Sequence, residues 1–142
     1  MSKTIVLISC VSRKRNDRAR ARDLYVSHLF KLNLKYAQQL ADPDRIFILS
    51  AKHGLLSLDE EIDPYDETLN TMPAIKVREW ANCVIEQISE KCTIDETNFI
   101  FLAGERYRRY LLTHLENAVN VQIPLKGLRI GQQLQRLNEL IK

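Results

Sequence analysis

The chain has 142 residues, of which 45% are hydrophobic and 27% are charged, and its net charge is +3. This length suits one compact domain and is too short for two independent cores, so we expect a single domain over residues 1–142. No run reaches the roughly 20 apolar residues of a membrane span, and the N-terminal run lacks a signal-peptide cleavage pattern, which predicts a cytoplasmic protein with no membrane partner.

The predicted elements alternate between strands and helices. Continuous runs of Ile, Val, Leu and Phe, which are typical of strands buried on both faces, lie at residues 4–9, 46–50, 99–103 and 119–123. Apolar residues at helical spacing predict helices over residues 23–40, 106–115 and 128–141. A further helix is predicted after the cap and first-turn proline of Thr71-Met72-Pro73, with apolar residues at helical spacing from Val77 to Ile88. This order predicts an α/β fold, a three-layer sandwich in which a mostly parallel central sheet of about four strands has helices on both faces.

The first predicted strand leads into a polar and basic loop. Ser9, Ser12 and Lys14 offer hydroxyls and an ammonium group that can hold a phosphate, although the glycine spacing of a Walker motif is missing. Residues 11–22 carry six Lys or Arg against one Asp. This segment is therefore interpreted either as a phosphate-binding or nucleic-acid-binding loop or as a solvated basic loop.

Cys10 lies in the same loop, and the neighbouring cations favour its thiolate, so it is a candidate nucleophile. The alternative is a small buried residue that closes the strand. The three cysteines of the chain are an odd number without metal-ligand spacing, which argues against a disulfide framework and a structural zinc site. We expect no metal and no cofactor.

The second strand runs directly into small, basic and glycine residues. Ser50 allows close approach of another group, Lys52 is a candidate anion contact, and Gly54 permits a backbone turn. His53 is a candidate general acid or base, or else a hydrogen-bonded structural residue.

Carboxylates, glycine and tyrosines complete the candidate site. Glu105 follows Gly104 at a strand-to-helix junction, where it either acts on a ligand or stabilises the helix start. Asp66 is a second candidate for proton transfer or nucleophilic attack, or it caps a turn. The remaining candidate ligand-binding residues are Tyr25, Tyr65 and Tyr107, which can stack on a base or pack in the core, and Arg129.

If the strands are parallel, these residues lie at one edge of the sheet, outside the carboxyl ends of the strands. Ligands of open α/β folds bind at this edge, near a topological switch point. Small residues, hydroxyls and cations recur in the loops after the predicted strands. This content favours an anionic or nucleotide-like ligand over an apolar one.

The motifs in combination resemble a family of small bacterial and phage domains of unknown function. They are Ser9-Cys10 with Lys14, Ala21-Arg22-Asp23-Leu24-Tyr25 with Phe30, Leu49-Ser50-Ala51-Lys52-His53-Gly54-Leu55-Leu56, Pro64-Tyr65-Asp66 with Leu69, Ala103-Gly104 with Tyr107-Arg108, and Pro124-Leu125-Gly127 with Ile130-Gly131. That family is distantly similar to the peroxide-stress YaaA proteins and to the glycosylase-like domain of archaeosine synthases. The resemblance implies a three-layer fold and a connection to nucleic-acid bases or their modification.

Three functions are consistent with these observations. The first is an enzyme that binds a nucleoside, nucleotide or nucleic-acid base and acts at or near its N-glycosidic bond. The second is a DNA-binding or RNA-binding module without catalysis that uses the arginines of residues 13–22. The third is a stress or redox protein that depends on Cys10. The sequence leaves the oligomeric state open.

Overall fold

The computed structural model describes residues 3–9 and 14–141. The strands are β1 (Lys3–Ser9), β2 (Ala19–Arg20), β3 (Ile46–Ser50), β4 (Gly54–Ser57), β5 (Glu61–Ile62), β6 (Thr97–Leu102) and β7 (Asn120–Gln122). The helices are α1 (Ala21–Leu24), α2 (His28–Leu40), α3 (Ala74–Lys91), α4 (Glu105–His114) and α5 (Ile130–Ile141). Short 3-10 turns lie at Pro43–Arg45, Leu69–Thr71 and Ile94–Glu96.

The main sheet has the strand order β4-β3-β1-β6-β7. Strand β1 is parallel to both β3 and β6, and β6 is parallel to β7. These four strands are the four that the sequence predicts, so the α/β fold with a mostly parallel sheet is confirmed. The fifth strand, β4, is antiparallel to β3 and was missed; β2 and β5 form a separate two-stranded sheet.

Strand β1 is the centre of the core, because it has a parallel neighbour on each side. Val6 lies opposite Ile46 in β3 and opposite Ile100 in β6, and Val6, Leu7 and Ile8 have no exposed surface. This double burial explains the uninterrupted apolar run in the sequence.

The helices cover both faces of the sheet. The connection from β1 to β3 through α2 and the connection from β3 to β6 through α3 cross the sheet in opposite directions, so right-handed crossovers put α2 and α3 on opposite faces. Helix α5 packs against α2, and α4 packs against α3. No helix in the described ranges combines the length and the apolar composition that a membrane crossing requires.

The prediction of one continuous helix over residues 23–40 is wrong, because the chain forms two helices with an extended break between them. Helix α1 ends at Leu24, and Tyr25 has extended backbone angles and forms an antiparallel bridge with Lys14. Ser27 then caps α2, since its Oγ accepts a hydrogen bond of 3.1 Å from Phe30 N. The apolar spacing continues through the break and conceals it.

Candidate functional site

A cleft of about 790 Å³ opens at the carboxyl edge of the sheet, between the ends of β1 and β6. The chain leaves β1 toward β3 and leaves β6 toward β7, so the two connections diverge at this point. This divergence is the topological switch point at which open α/β sheets bind ligands. Ser9 at the end of β1 and Ala103 and Gly104 after β6 line the cleft.

The walls of the cleft come from three helix starts, one 3-10 turn and the loop before α5. The large apolar lining residues are Leu29, Leu102, Leu125, Leu128, Ile130 and Leu134. The polar and charged ones include Ser9, Asn33, Thr68, Asn70, Glu105 and Arg108. The volume lies within the range of about 300–1,000 Å³ that is typical of sites for small organic ligands.

The floor of the cleft is fixed by a bond between the two diverging strand ends. Gly104 N donates a hydrogen bond of 3.2 Å to Ser9 Oγ. Gly104 is also the N-cap residue of α4, so the positive end of the α4 dipole lies at the cleft. The resulting environment favours an anionic or hydroxyl-bearing group.

Glu105 begins α4, and its carboxylate is held in place by Arg109 one turn later. The two nitrogens Nε and Nη2 of Arg109 donate to the two carboxylate oxygens over 2.6 and 2.7 Å. These bonds raise the pKa of Arg109. The pair is exposed, so the Glu105 carboxylate is also reachable by a ligand in the cleft.

Arg108 contributes a partly buried cation to the same wall. Its Nη1 donates to the backbone oxygen of Ala103 over 2.8 Å. Burial lowers the pKa of Arg108, and the charge of Glu105 acts in the opposite direction. Arg108 is therefore positioned beside the β6 end, where an anionic ligand group would meet it.

The segment from Thr68 to Met72 is hydrogen-bonded to α4 and forms another wall of the cleft. Tyr107 Oη accepts a hydrogen bond from Leu69 N and lies 3.3 Å from Thr68 Oγ1. Arg106 donates to the backbone oxygens of Leu69, over 2.9 Å, and Met72. Tyr107 thus has a structural role in addition to lining the cleft.

Lys14, Tyr25, Ser50, His53 and Tyr65 form a second polar group, called here the β3 cluster. Ser50 Oγ donates to Tyr65 Oη over 2.7 Å and accepts from His53 N over 3.1 Å, and the Tyr65 and Tyr25 hydroxyls are 2.5 Å apart. Lys14 Nζ lies 4.5 Å from the centre of the Tyr65 ring, and the His53 ring meets the edge of Tyr65. The tyrosines are buried, so they are placed for hydrogen bonding and packing rather than for stacking on a ligand in the cleft.

Trp80 connects the β3 cluster to the cleft. Its Nε1 donates to Ser50 O over 2.8 Å, and its ring packs edge-on against Tyr107.

The structure separates the predicted site residues into these two groups. Ser9, Gly104, Glu105 and Tyr107 line the cleft, and Lys14, Tyr25, Ser50, His53 and Tyr65 form the β3 cluster. Lys52, Asp66 and Arg129 are exposed and line neither. Cys10 and Ser12 lie outside the described residues.

Gly54 serves the turn from β3 into β4. Its φ angle is +73°, a conformation that favours glycine. A Cβ at this position would lie 2.3 Å from Gln87 Oε1, which accepts a hydrogen bond from Leu55 N. The glycine therefore allows α3 to approach the turn closely.

Sequence reasoning missed Asn33, a buried amide in the lining of the cleft. Asn33 lies on α2, is 5% exposed, and its Oδ1 has no hydrogen-bond partner among residues 3–9 and 14–141. One signal was present, because Asn33 follows Leu29 by four residues and thus interrupts an apolar helix face.

The arginines of residues 15–22 are engaged in ion pairs. The pairs are Arg15–Asp17, Arg18–Asp63, Arg20–Asp23 and Arg22–Asp59, with N–O distances between 2.9 and 3.5 Å. Arg15 and Arg22 also line a groove of about 680 Å³ with Lys31 and Lys35 of α2. Asp23 is the only acidic residue among the described residues that line this groove.

No group of three His, Cys, Asp or Glu suited to a metal ion occurs in the described part of the chain.

Comparison with known proteins identifies a family but no reaction. Searches of curated proteins and of solved structures found no match. The model of a family of unknown function, DUF6884, matches residues 5–139, which is nearly the whole chain. The chain therefore belongs to the DUF6884 family of unknown function.

Proposed function

We propose that the chain is an enzyme that binds a nucleoside, nucleotide or nucleic-acid base in the cleft and acts at or near the N-glycosidic bond. The observation that carries the proposal is the cleft at the β1–β6 switch point, which is lined both by leucines and by Glu105 at the start of α4. The family of unknown function that the sequence motifs resemble is distantly similar to YaaA proteins and to the glycosylase-like domain of archaeosine synthases, and this similarity supports base chemistry.

The two sides of the cleft suit the two parts of a nucleoside. Leucines at positions 29, 125, 128 and 134 offer apolar surface to a flat base. Ser9, Gly104 and Arg108 offer donors for a phosphate or for sugar hydroxyls at the positive end of α4. The ligand would thus lie with its glycosidic bond between the leucines and α4.

Glu105 is the proposed catalytic residue. As the bond between the anomeric carbon and the base nitrogen breaks, the base leaves with the electron pair and takes up a proton from solvent, and positive charge develops on the sugar. The Glu105 carboxylate stabilises that charge, accepts a proton from the water whose oxygen bonds to the anomeric carbon, and then releases that proton to solvent. Asp66 and His53, which do not line the cleft, have no assigned step.

A ligand screen followed by a turnover assay tests the proposal. Nucleosides, nucleotides, free bases and short oligonucleotides are compared by thermal shift, because a ligand at 100 times its Kd adds about 2.7 kcal/mol to the free energy of unfolding. Release of free base is then measured by chromatography for the wild-type chain and for Glu105→Gln. Glu116→Gln, which changes an exposed carboxylate outside the cleft, is the matched control.

The proposal expects stabilisation by at least one of these ligand classes and base release that Glu105→Gln abolishes and Glu116→Gln preserves. Stabilisation by none of them, or full base release in Glu105→Gln, would refute it.

A second candidate function, binding of a DNA or RNA backbone without catalysis, is favoured by the groove between Arg15, Arg22, Lys31 and Lys35. Because such binding releases counterions, affinity for a short oligonucleotide should fall steeply with salt and should fall further in Lys31→Glu/Lys35→Glu. Lys76→Glu/Lys91→Glu on α3 is the control. A flat salt dependence excludes this function.

A further inference from the structure

The basic groove on α2 carries two lysines whose charges repel each other. Lys31 and Lys35 are exposed and lie one turn apart on the same face of the helix, and both line the groove of about 680 Å³. Like charges at this spacing destabilise a helix. A bound anion would relieve that repulsion.

The two lysines differ from the arginines of the groove in their ion pairing. The arginines pair with Asp17 and Asp59, whereas the described residues supply no ion-pair partner to Lys31 or Lys35. The side chains outside the described ranges include no Asp or Glu. The two ammonium groups are therefore available to an anionic ligand.

The groove borders the cleft at the start of α2. Val26 lines the groove, and Ser27, the next residue in the chain, lines the cleft. Leu29 then continues the lining of the cleft, and Lys31 continues that of the groove. The first turn of α2 thus separates the two by about the width of one helix, ~10–12 Å. A ligand with a ring in the cleft and anions in the groove has to cross this turn, which a chain of linked nucleotides can do.

We propose that the substrate is a single-stranded nucleic acid whose phosphates lie in the α2 groove while one of its bases enters the cleft. The inference rests on the proposed function and narrows its substrate class from free nucleosides and nucleotides to a polymer. It differs from binding without catalysis, because the groove and the cleft act on the same molecule. Glu105 remains the catalytic residue, and Lys31 and Lys35 bind the backbone.

The chemistry of the two sites favours a single strand. A row of phosphates meets the cations of the groove, and each contact releases counterions. A base stacked and paired in a duplex cannot enter a cleft, so enzymes that act on bases use single strands or extrude the base. An acidic peptide could fill the groove but would bring no base to the cleft. Tyr25, at 1% exposure, offers the groove no face for stacking, so backbone binding should depend little on sequence.

A comparison of polymer and monomer substrates tests the inference. Base release is measured by chromatography for single-stranded DNA and RNA oligonucleotides that contain every base, and for the matching nucleosides and nucleoside 5′-monophosphates. The proteins are the wild-type chain, Lys31→Gln/Lys35→Gln and the control Lys76→Gln/Lys91→Gln, which changes two lysines of α3 outside the groove and the cleft. Oligonucleotide affinity is measured over a range of salt concentrations, and circular dichroism checks the fold of each variant.

In the wild-type chain and the control, kcat/KM for the DNA or the RNA oligonucleotide should exceed that for the monomers by at least about tenfold. In Lys31→Gln/Lys35→Gln this preference should shrink, and the loss should appear in KM rather than in kcat. The slope of log affinity against log salt should become shallower by about 1.4, because each phosphate contact on a single strand contributes about 0.7.

Two outcomes overturn the inference and leave the proposed function intact. One is base release from nucleosides or nucleotides that is as efficient as release from the oligonucleotides. The other is a preference for the oligonucleotide that survives in Lys31→Gln/Lys35→Gln with an unchanged salt dependence. If the wild-type chain releases base from none of these substrates, the proposed function fails together with the inference.

Discussion

The β3 cluster and the cleft lie at the same edge of the sheet, but the polar groups of the β3 cluster are buried and hydrogen-bonded, whereas those of the cleft include exposed ones. In the β3 cluster, Ser50 is fully buried, its Oγ both donates and accepts a hydrogen bond, and its backbone oxygen accepts from Trp80. In the cleft, the carboxyl ends of β1 and β6 border open space, and the Glu105 carboxylate is exposed although Arg109 binds it. Polar residues at a strand end therefore mark a candidate binding site only where the strand end stays open.

Topology accounts for the difference. Strand β3 turns back at Gly54 into β4, and α3 packs against β4, so the carboxyl end of β3 is covered. Strands β1 and β6 send their connections in opposite directions, and their carboxyl ends remain open. The comparison predicts that substitutions in the β3 cluster act on stability, while substitutions in the cleft act on ligand binding.

The largest stability effect is expected for Trp80→Ala. The change removes a 9% exposed indole that packs on Tyr107 and leaves the buried Ser50 oxygen without its donor. We expect a loss of about 3–5 kcal/mol in the free energy of unfolding, measured by urea denaturation and circular dichroism. Trp80→Phe, which keeps an aromatic ring, should lose less. A loss below about 1 kcal/mol for Trp80→Ala would contradict the role of Trp80 as the link between the two regions.

Gly54→Ala should have the next largest effect, and Gly104→Ala is its matched control. Alanine at φ +73° costs about 1–2 kcal/mol, and its Cβ would displace Gln87 Oε1 from Leu55 N. Gly104 has φ −62°, and a Cβ there meets no described atom within 4 Å. Thermal unfolding should therefore show a clear loss for Gly54→Ala and almost none for Gly104→Ala. Equal losses would show that the β3 turn is not constrained as described.

Tyr65→Phe should have a smaller effect of about 0.5–1.5 kcal/mol, because it removes the acceptor of the Ser50 hydroxyl in a buried site. Tyr36→Phe, on a half-buried tyrosine of α2, is the control and should change the free energy of unfolding by less than about 0.5 kcal/mol. Denaturant unfolding provides both values, and ligand affinity is measured alongside. If Tyr65→Phe leaves stability intact but abolishes ligand binding, the β3 cluster belongs to the binding site.

Much of the fold could be predicted from the sequence, because doubly buried strands such as β1 leave long apolar runs. Strand β4 could not, since Gly-Leu-Leu-Ser is too short to show a period and its pairing depends on the turn at Gly54. The helix break at Tyr25 was concealed because leucines continue at helical spacing on both sides. In each case the missing information was a tertiary contact rather than a local preference.

The candidate site could be predicted only in part. Ser9, Gly104 and Glu105 were identified because they follow apolar strands, and strand ends of a parallel sheet meet at one edge. Asn33 and Arg108 lie inside helices, where a single polar residue carries little signal. The direction of each connection decides which strand ends are covered and which stay open. That direction depends on the order of strands in the sheet, so it cannot be predicted from the residues of a single segment.

The most direct test of the central claim is a nuclear magnetic resonance titration of the isotope-labelled chain with nucleosides, nucleotides, free bases and short oligonucleotides in turn. The account predicts that at least one of these ligands shifts the backbone signals of Gly104, Glu105 and Leu128, while the signals of Lys52, His53 and Gly54 change little. Shifts concentrated at Lys52, His53 and Gly54, or no shift in the cleft with any of these ligands, would contradict it.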